Sequence, residues 1–85
     1  MIKETIVIKN ENGLHALPAS RFVKLADTYS SNVSITKDGI EVNGKSIMGI
    51  LTLACEKGSK VILKCEGRDE KEAMKALRLI LEGQD

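Results

Sequence analysis

The sequence predicts an α+β fold in which one sheet is covered on one face by helices. Three observations carry this reading. Four short stretches alternate apolar and polar residues with period two, three others repeat apolar residues at i, i+3, i+4 and i+7, and the order along the chain is β-α-β-β-α-β-α. Alternation of this kind buries one face of each strand, so helices are expected on one side only. At 85 residues the chain has room for one module over positions 1–85. Hydrophobic residues at 42% against 29% charged match a packed core rather than a disordered chain.

The first strand spans residues 2–8, with Ile2, Ile6 and Ile8 at even positions and Lys3 and Thr5 between them; Val7 blurs the pattern. A turn over Asn10 to Gly13 leads to a helix from Ala16 onward, whose core stripe is Ala19, Phe22, Val23 and Ala26. Pro18 fits only the first turn of that helix. Val33 and Ile35, then Ile40 and Val42, form two strands joined through Lys37-Asp38-Gly39, because Asp-Gly is a strong hairpin signal.

After a turn at Asn43-Gly44, Ser46 is placed to cap a second helix with the stripe Ile47, Ile50, Leu51 and Ala54, leaving at Gly58. Val61, Leu63 and Cys65 alternate with Lys60, Lys64 and Glu66 in a fourth strand, which assigns Cys65 to the core face. Gly67 turns the chain. Asp69 then caps the last helix, with Glu72 in capping-box position, the stripe Ala73, Leu77, Ile80 and Leu81, and an end near Gly83.

Composition excludes several function classes. Thirteen Lys and Arg against twelve Asp and Glu leave a formal charge of +1, too balanced for a general nucleic-acid binder. Phe22 and Tyr29 are the only aromatic residues, which removes the stacking platforms of single-strand RNA binders. No run approaches the ~20 apolar residues of a membrane span, and a soluble, cytoplasmic protein is expected. Cys55 and Cys65 lack metal-ligand spacing and a neighbouring His, so free, largely buried thiols are expected and no metal or organic cofactor.

The single histidine, His15, lies between a glycine turn and a helix start in Gly13-Leu14-His15-Ala16-Leu17-Pro18-Ala19. A helix start carries backbone N–H groups without intrahelical partners and a positive partial charge, a ready cradle for a phosphoryl group. Ala16 brings no side-chain oxygen to occupy those donors, and Pro18 has no N–H of its own. An imidazole beside them is a nucleophile in reach of a bound phosphoryl group, with the amides of Ala16 and Leu17 as cradle. A solvated loop histidine is the plain alternative on this residue alone.

The string around His15, together with Lys45-Ser46-Ile47-Met48-Gly49, resembles the two signatures of the HPr family, the histidine-containing phosphocarriers of the bacterial sugar phosphotransferase system. The likeness runs over essentially all 85 residues. It implies an open-faced β-sandwich, with a four-stranded antiparallel sheet under three helices. It also implies that enzyme I, charged from phosphoenolpyruvate, donates phosphate to Nδ1 of His15, which passes it to IIA domains of sugar permeases. The Gram-positive branch of the family phosphorylates the serine matched by Ser46 through an ATP-dependent kinase, with a phosphorylase and a catabolite-control transcription factor as further partners. Spacing alone reads Ser46 as a helix cap. Two negative charges at a helix start would be tolerated by the fold yet repel an acidic partner.

One residue departs from the family pattern. The motif usually reads His-Ala-Arg-Pro, and here Leu17 stands where the arginine would be. A guanidinium makes charge-assisted contacts roughly twice as strong as neutral hydrogen bonds, so retained but altered transfer is expected. On the first helix, 100° per residue places Leu17, Ser20, Arg21 and Lys24 opposite the core stripe, where the two cations offer charge to an acidic partner. On the second helix Met48 and Thr52 turn toward solvent and toward His15, and with Ile47 complete an expected docking surface. The rivals are a non-carrier interaction module of the same fold, controlled through Ser46, and, more distantly, an RNA-binding or structural α+β domain.

Overall fold

Alternation along the first strand sets the plan of the molecule. In the computed structural model, which describes residues 1–83, β1 (Ile2–Val7) buries Ile6, is followed by buried Ile8, and exposes Lys3, Thr5 and Val7. After it come α1 (Ala16–Ala26), β2 (Asn32–Lys37), β3 (Ile40–Asn43), α2 (Ile47–Thr52), β4 (Lys60–Glu66) and α3 (Glu70–Leu81). The strands form one antiparallel sheet in the order β1-β4-β2-β3. Register brings Ile6 opposite Val61, Ile35 opposite Leu63, and Val33 opposite Cys65, so the apolar positions of three strands share one face. A slip of one residue would turn that whole set to solvent.

The three helices cover this face. Ala19, Phe22 and Ala26 from α1, Ile50 from α2, and Ala73, Met74, Leu77, Ile80 and Leu81 from α3 close the core over it. The architecture is the expected open-faced α+β sandwich. The hairpin also forms as expected: Lys37 pairs with Ile40 across a two-residue loop, and Asp38 (φ 52) and Gly39 (φ 82) both take the left-handed conformation that such a loop requires. Ile40 itself stays exposed, because it sits at the tip where no helix reaches.

Four details differ from the sequence reading. On α1, Val23 is only half-buried, while Pro18 is buried at the first turn. α2 ends at Thr52 and does not run on to Gly58; Ile47 is exposed, Leu51 half-buried, and Ala54 lies beyond the helix with φ 50. Of that stripe Ile50 alone is fully buried and Leu51 packs partly against the core, because a six-residue helix makes fewer than two turns. Gly58 instead turns the chain into β4, its N–H donating to the Ile8 carbonyl at 2.7 Å.

At α3 the capping box does not form. Asp69 occupies the cap position, but its carboxylate makes no bond to its own helix and accepts instead from the N–H groups of Ser30 and Ser31 and from the Ser31 hydroxyl. Glu70, rather than Glu72, reaches back to accept the Gly67 N–H at 3.1 Å. The competing donors won because the loop before β2 packs against the start of α3. Ser31 is fully buried there, and a Cβ on Gly67 would lie 2.7 Å from the Ser31 Cα.

The hydrogen bonds from Ser31 and Ser30 hold the Asp69 carboxyl below the usual carboxylate range. A carboxyl depressed on folding adds stability that is complete above its unfolded pKa of about 4 and is lost as pH falls through the lower folded value. Urea unfolding of the native chain is therefore expected to weaken on acidification below about pH 4, and Asp69→Asn to flatten that acid limb while lowering the midpoint at neutral pH.

Candidate functional site

The chain leaving β1 must bury Leu14 and expose the next residue, and the backbone around Gly13 makes that possible. Gly13 has φ 72, its N–H donates to the Asn10 carbonyl at 2.9 Å, and the Leu14 N–H donates to the Cys55 carbonyl at 2.8 Å. The approach is close: a Cβ on residue 13 would lie 2.3 Å from the Cys55 carbonyl oxygen and 2.8 Å from the Glu56 Cα. Only glycine combines that positive φ with that proximity. Leu14 is buried, and His15 projects outward as the N-cap of α1 with an extended backbone.

No side chain caps α1. The first bond of that terminus runs from the Ala19 N–H to the His15 carbonyl at 2.9 Å, and buried Pro18 has no N–H. Among the described residues, the amides of Ala16 and Leu17 donate to no protein acceptor, and the imidazole makes no hydrogen bond. Two unpaired donors and a positive helix end thus follow directly on an exposed histidine. Such a point can bind a tetrahedral oxyanion and form a covalent bond to it.

His15 separates two shallow depressions. One is lined by Asn10, Asn12, Leu17, Pro18 and Arg21; the other, of about 250 Å³, by Asn12, Leu14, Leu51, Ala54, Cys55 and Glu56. The helical period of 100° per residue predicts Met48 and Thr52 on the side toward this ring. Both are exposed, yet neither they nor Ile47 line either depression. What α2 contributes beside the imidazole is Leu51 and the segment that follows the helix, because α2 stops before the stripe could reach further. Thr52 also turns its hydroxyl back to donate to the Met48 and Gly49 carbonyls. Asn12 and Glu56 carried no periodic or motif signal that would have picked them out, and the period assigned Ala54 to the core stripe of α2 rather than to this site.

The remaining candidates belong to α1 and α2. Leu17 (57% exposed), Met48 (71%) and Ile47 (37%) are the most exposed large apolar residues of these two helices. Arg21 and Lys24 are exposed on α1, whereas Ser20 is half-buried.

Ser46 caps α2 as the sequence reads: its Oγ accepts the Gly49 N–H at 3.1 Å and its carbonyl accepts the Ile50 N–H at 3.1 Å. The Lys45 ammonium beside it donates to the Tyr29 carbonyl at 2.8 Å, tying this turn to the end of α1. Cys55 and Cys65 are free and buried, as expected. Burial pushes the Cys65 thiol up to about 11 and raises that of Cys55. Neither is a thiolate at neutral pH. Among the described residues no group of three or more His, Cys, Asp or Glu side chains is placed to hold a metal ion, and no helix is long and apolar enough to cross a membrane.

Comparison with known proteins agrees with this fold. A family model described as the PTS HPr component phosphorylation site matches residues 2–83. The chain is similar to the phosphocarrier protein HPr of Neisseria meningitidis serogroup A, with 45% identity covering 98% of this chain and 93% of that protein. It is equally similar to the HPr-like protein Crh of Halalkalibacterium halodurans, at 45% identity over 96% of this chain and 98% of the other. The crystal structure of HPr-C-His from Thermoanaerobacter tengcongensis superposes with a TM-score of 0.91 at 49% identity, covering 100% and 99% of the two chains.

The cap at Ser46 has a measurable worth. Ser46→Ala removes an acceptor from the first turn of a short helix and is expected to lower stability by about 1 kcal/mol in urea unfolding, with His15 unaffected.

Proposed function

This chain belongs to the HPr family of phosphocarriers, and from that premise we propose that it carries a phosphoryl group on His15 between phospho-enzyme I and the IIA domains of sugar permeases. One observation supports this above the others: the imidazole stands exposed beside the unpaired Ala16 and Leu17 amides. In the forward step the Nδ1 lone pair of His15 attacks phosphorus, a new N–P bond forms, and the bond to the donor nitrogen breaks. The two amides and the positive end of α1 take up charge on the phosphoryl oxygens as it arrives. The reverse geometry serves delivery to a IIA domain. No metal or organic cofactor takes part in the proposal. The chain acts as a single HPr-like domain over positions 1–85, in the cytoplasm; the last two of those positions lie outside the described residues.

Docking is assigned to the surface made by Leu17, Ser20, Arg21 and Lys24 of α1 with Ile47, Met48 and Thr52 of α2. Its apolar centre of Leu17, Ile47 and Met48 suits a partner surface that buries apolar area, and the cations at Arg21 and Lys24 suit acidic residues at its rim. Ser46 is the regulatory site in this reading, modified by a kinase and restored by a phosphorylase. A phosphate there would gain from the positive end of α2 while placing roughly two negative charges beside the docking surface. Partner binding, rather than folding, is what it would change.

The second reading is a non-carrier interaction module, controlled through Ser46 and binding a catabolite-control transcription factor. It is favoured by Leu17 in the arginine position and by the Crh relative. The two readings separate in one experiment. Incubation with enzyme I, magnesium and phosphoenolpyruvate is expected to place acid-labile, base-stable phosphate on the chain and none on His15→Ala. No label on the native chain, with ATP-dependent label at Ser46, would select the module instead.

Leu17 tests the same site in the other direction. Leu17 is exposed, so Leu17→Arg is expected to change stability by less than about 0.5 kcal/mol and to raise the rate of transfer to and from His15 severalfold. Stopped-flow quench kinetics read the rate, and an unchanged rate would mean that the leucine is no deficit.

A further inference from the structure

Lys37 is the last residue of β2. Its ammonium donates to two backbone carbonyls, those of Leu53 at 3.1 Å and Ala54 at 3.2 Å. A solvated lysine would make neither bond. Both carbonyls belong to the segment that leaves α2, where a helix end exposes acceptors without partners and a cation is favoured.

That segment is unusual in one respect. Ala54 has φ 50, a conformation that a residue with a Cβ adopts reluctantly, and its side chain is exposed, so no packing of its own enforces it. Its neighbours Leu53 and Cys55 are buried and fix where the chain enters and leaves the bend. Two sets of bonds orient the peptides between them: the Ala54 N–H donates to the Leu51 carbonyl at 3.1 Å, and the ammonium holds the Leu53 and Ala54 carbonyls. The next carbonyl, that of Cys55, accepts the Leu14 N–H at 2.8 Å, and against it Gly13 is pressed too closely to admit a Cβ. Leu14 precedes His15.

We propose that Lys37 is a positioning residue for His15: by holding the Leu53 and Ala54 carbonyls it keeps the bend at Ala54 and so presents the Cys55 carbonyl that seats the loop before the imidazole. The proposal rests on the carrier reading for its functional consequence, and on the hydrogen bonds alone for its structural one. Lys37 touches neither the ring nor the Ala16 and Leu17 amides. Its effect is on the geometry from which His15 reaches a phosphoryl group, and small displacements of a reacting group carry large rate penalties.

The test compares the native chain with Lys37→Met, Lys37→Arg and the double variant Lys37→Met with Ala54→Gly. Phosphoryl transfer from enzyme I and hydrogen exchange of the Leu14 amide are measured on each. Lys37→Met keeps the aliphatic stem and is expected to slow maximal transfer about tenfold, with the KM for the chain as substrate unchanged. Leu14 exchange is expected to quicken alongside. Lys37→Arg should retain the native rate, and Ala54→Gly should restore most of it, since glycine adopts the bend without help. An unchanged rate, a change in KM alone, or no recovery with glycine overturns the proposal. If the native chain takes no phosphate, the carrier reading fails by itself. Leu14 exchange then decides the positioning role: quickened in Lys37→Met and reversed by glycine it stands, and unaltered it falls.

Discussion

The hydrogen bond from the Leu14 N–H to the Cys55 carbonyl joins the two halves of the chain at the one place where both the core and the surface site depend on it. On its inner side it seats Leu14 among the buried residues, and on its outer side it leaves His15 with nowhere to go but solvent. The contact tolerates no side chain at Gly13. A loop that had to admit a Cβ there would stand off from Cys55, and the start of α1 would move with it. Glycine at this position is a requirement of distance as much as of φ.

From this anchor follows the character of α1's N-terminus. Most helix starts satisfy their first N–H groups with a Ser, Thr, Asp or Asn side chain. Here the cap is a histidine that forms no such bond, the next residue is alanine, and the third helical position is proline. Two donors stay open. The contrast with α2 is instructive, since Ser46 closes its terminus in the ordinary way. A closed start suits a helix that only packs; an open one beside an imidazole is what the proposed carrier role would use.

Local strain and local charge are arranged around the same point. Ala54 holds a left-handed backbone beside the site, at a cost of order 1–3 kcal/mol for such conformations. The bonds from Lys37 and the burial of Leu53 and Cys55 offset it. At the other end of the molecule Asp69 gathers three donors from the Ser30–Ser31 turn, binding α3 to the entry of β2. Neither contact is local in sequence: Lys37 lies 16 and 17 residues from its partners, and Asp69 lies 38 and 39 from its own. Periodicity says nothing about such pairs.

That distinction divides what each source of information could decide. The alternation in β1, β2 and β4, the stripes of α1 and α3, the Asp38-Gly39 hairpin, the Ser46 cap and the position of His15 at a helix start are written in neighbouring residues, and a period or a turn residue is enough to read them. The extent of α2 was not, because its end is set by where Leu53 and Cys55 are buried against the sheet. Asp69 looked like a cap from its spacing, but folding offered its carboxylate better donors from a distant turn. The residues beside the imidazole, Asn12, Ala54 and Glu56, come together only once the chain after α2 is laid against Gly13. Sequence by itself determined the fold class and the place of the single histidine at a helix start, through short-range sterics and hydrophobic period. Tertiary structure alone decided what surrounds that side chain, since those contacts are made by backbone groups whose partners lie tens of residues away.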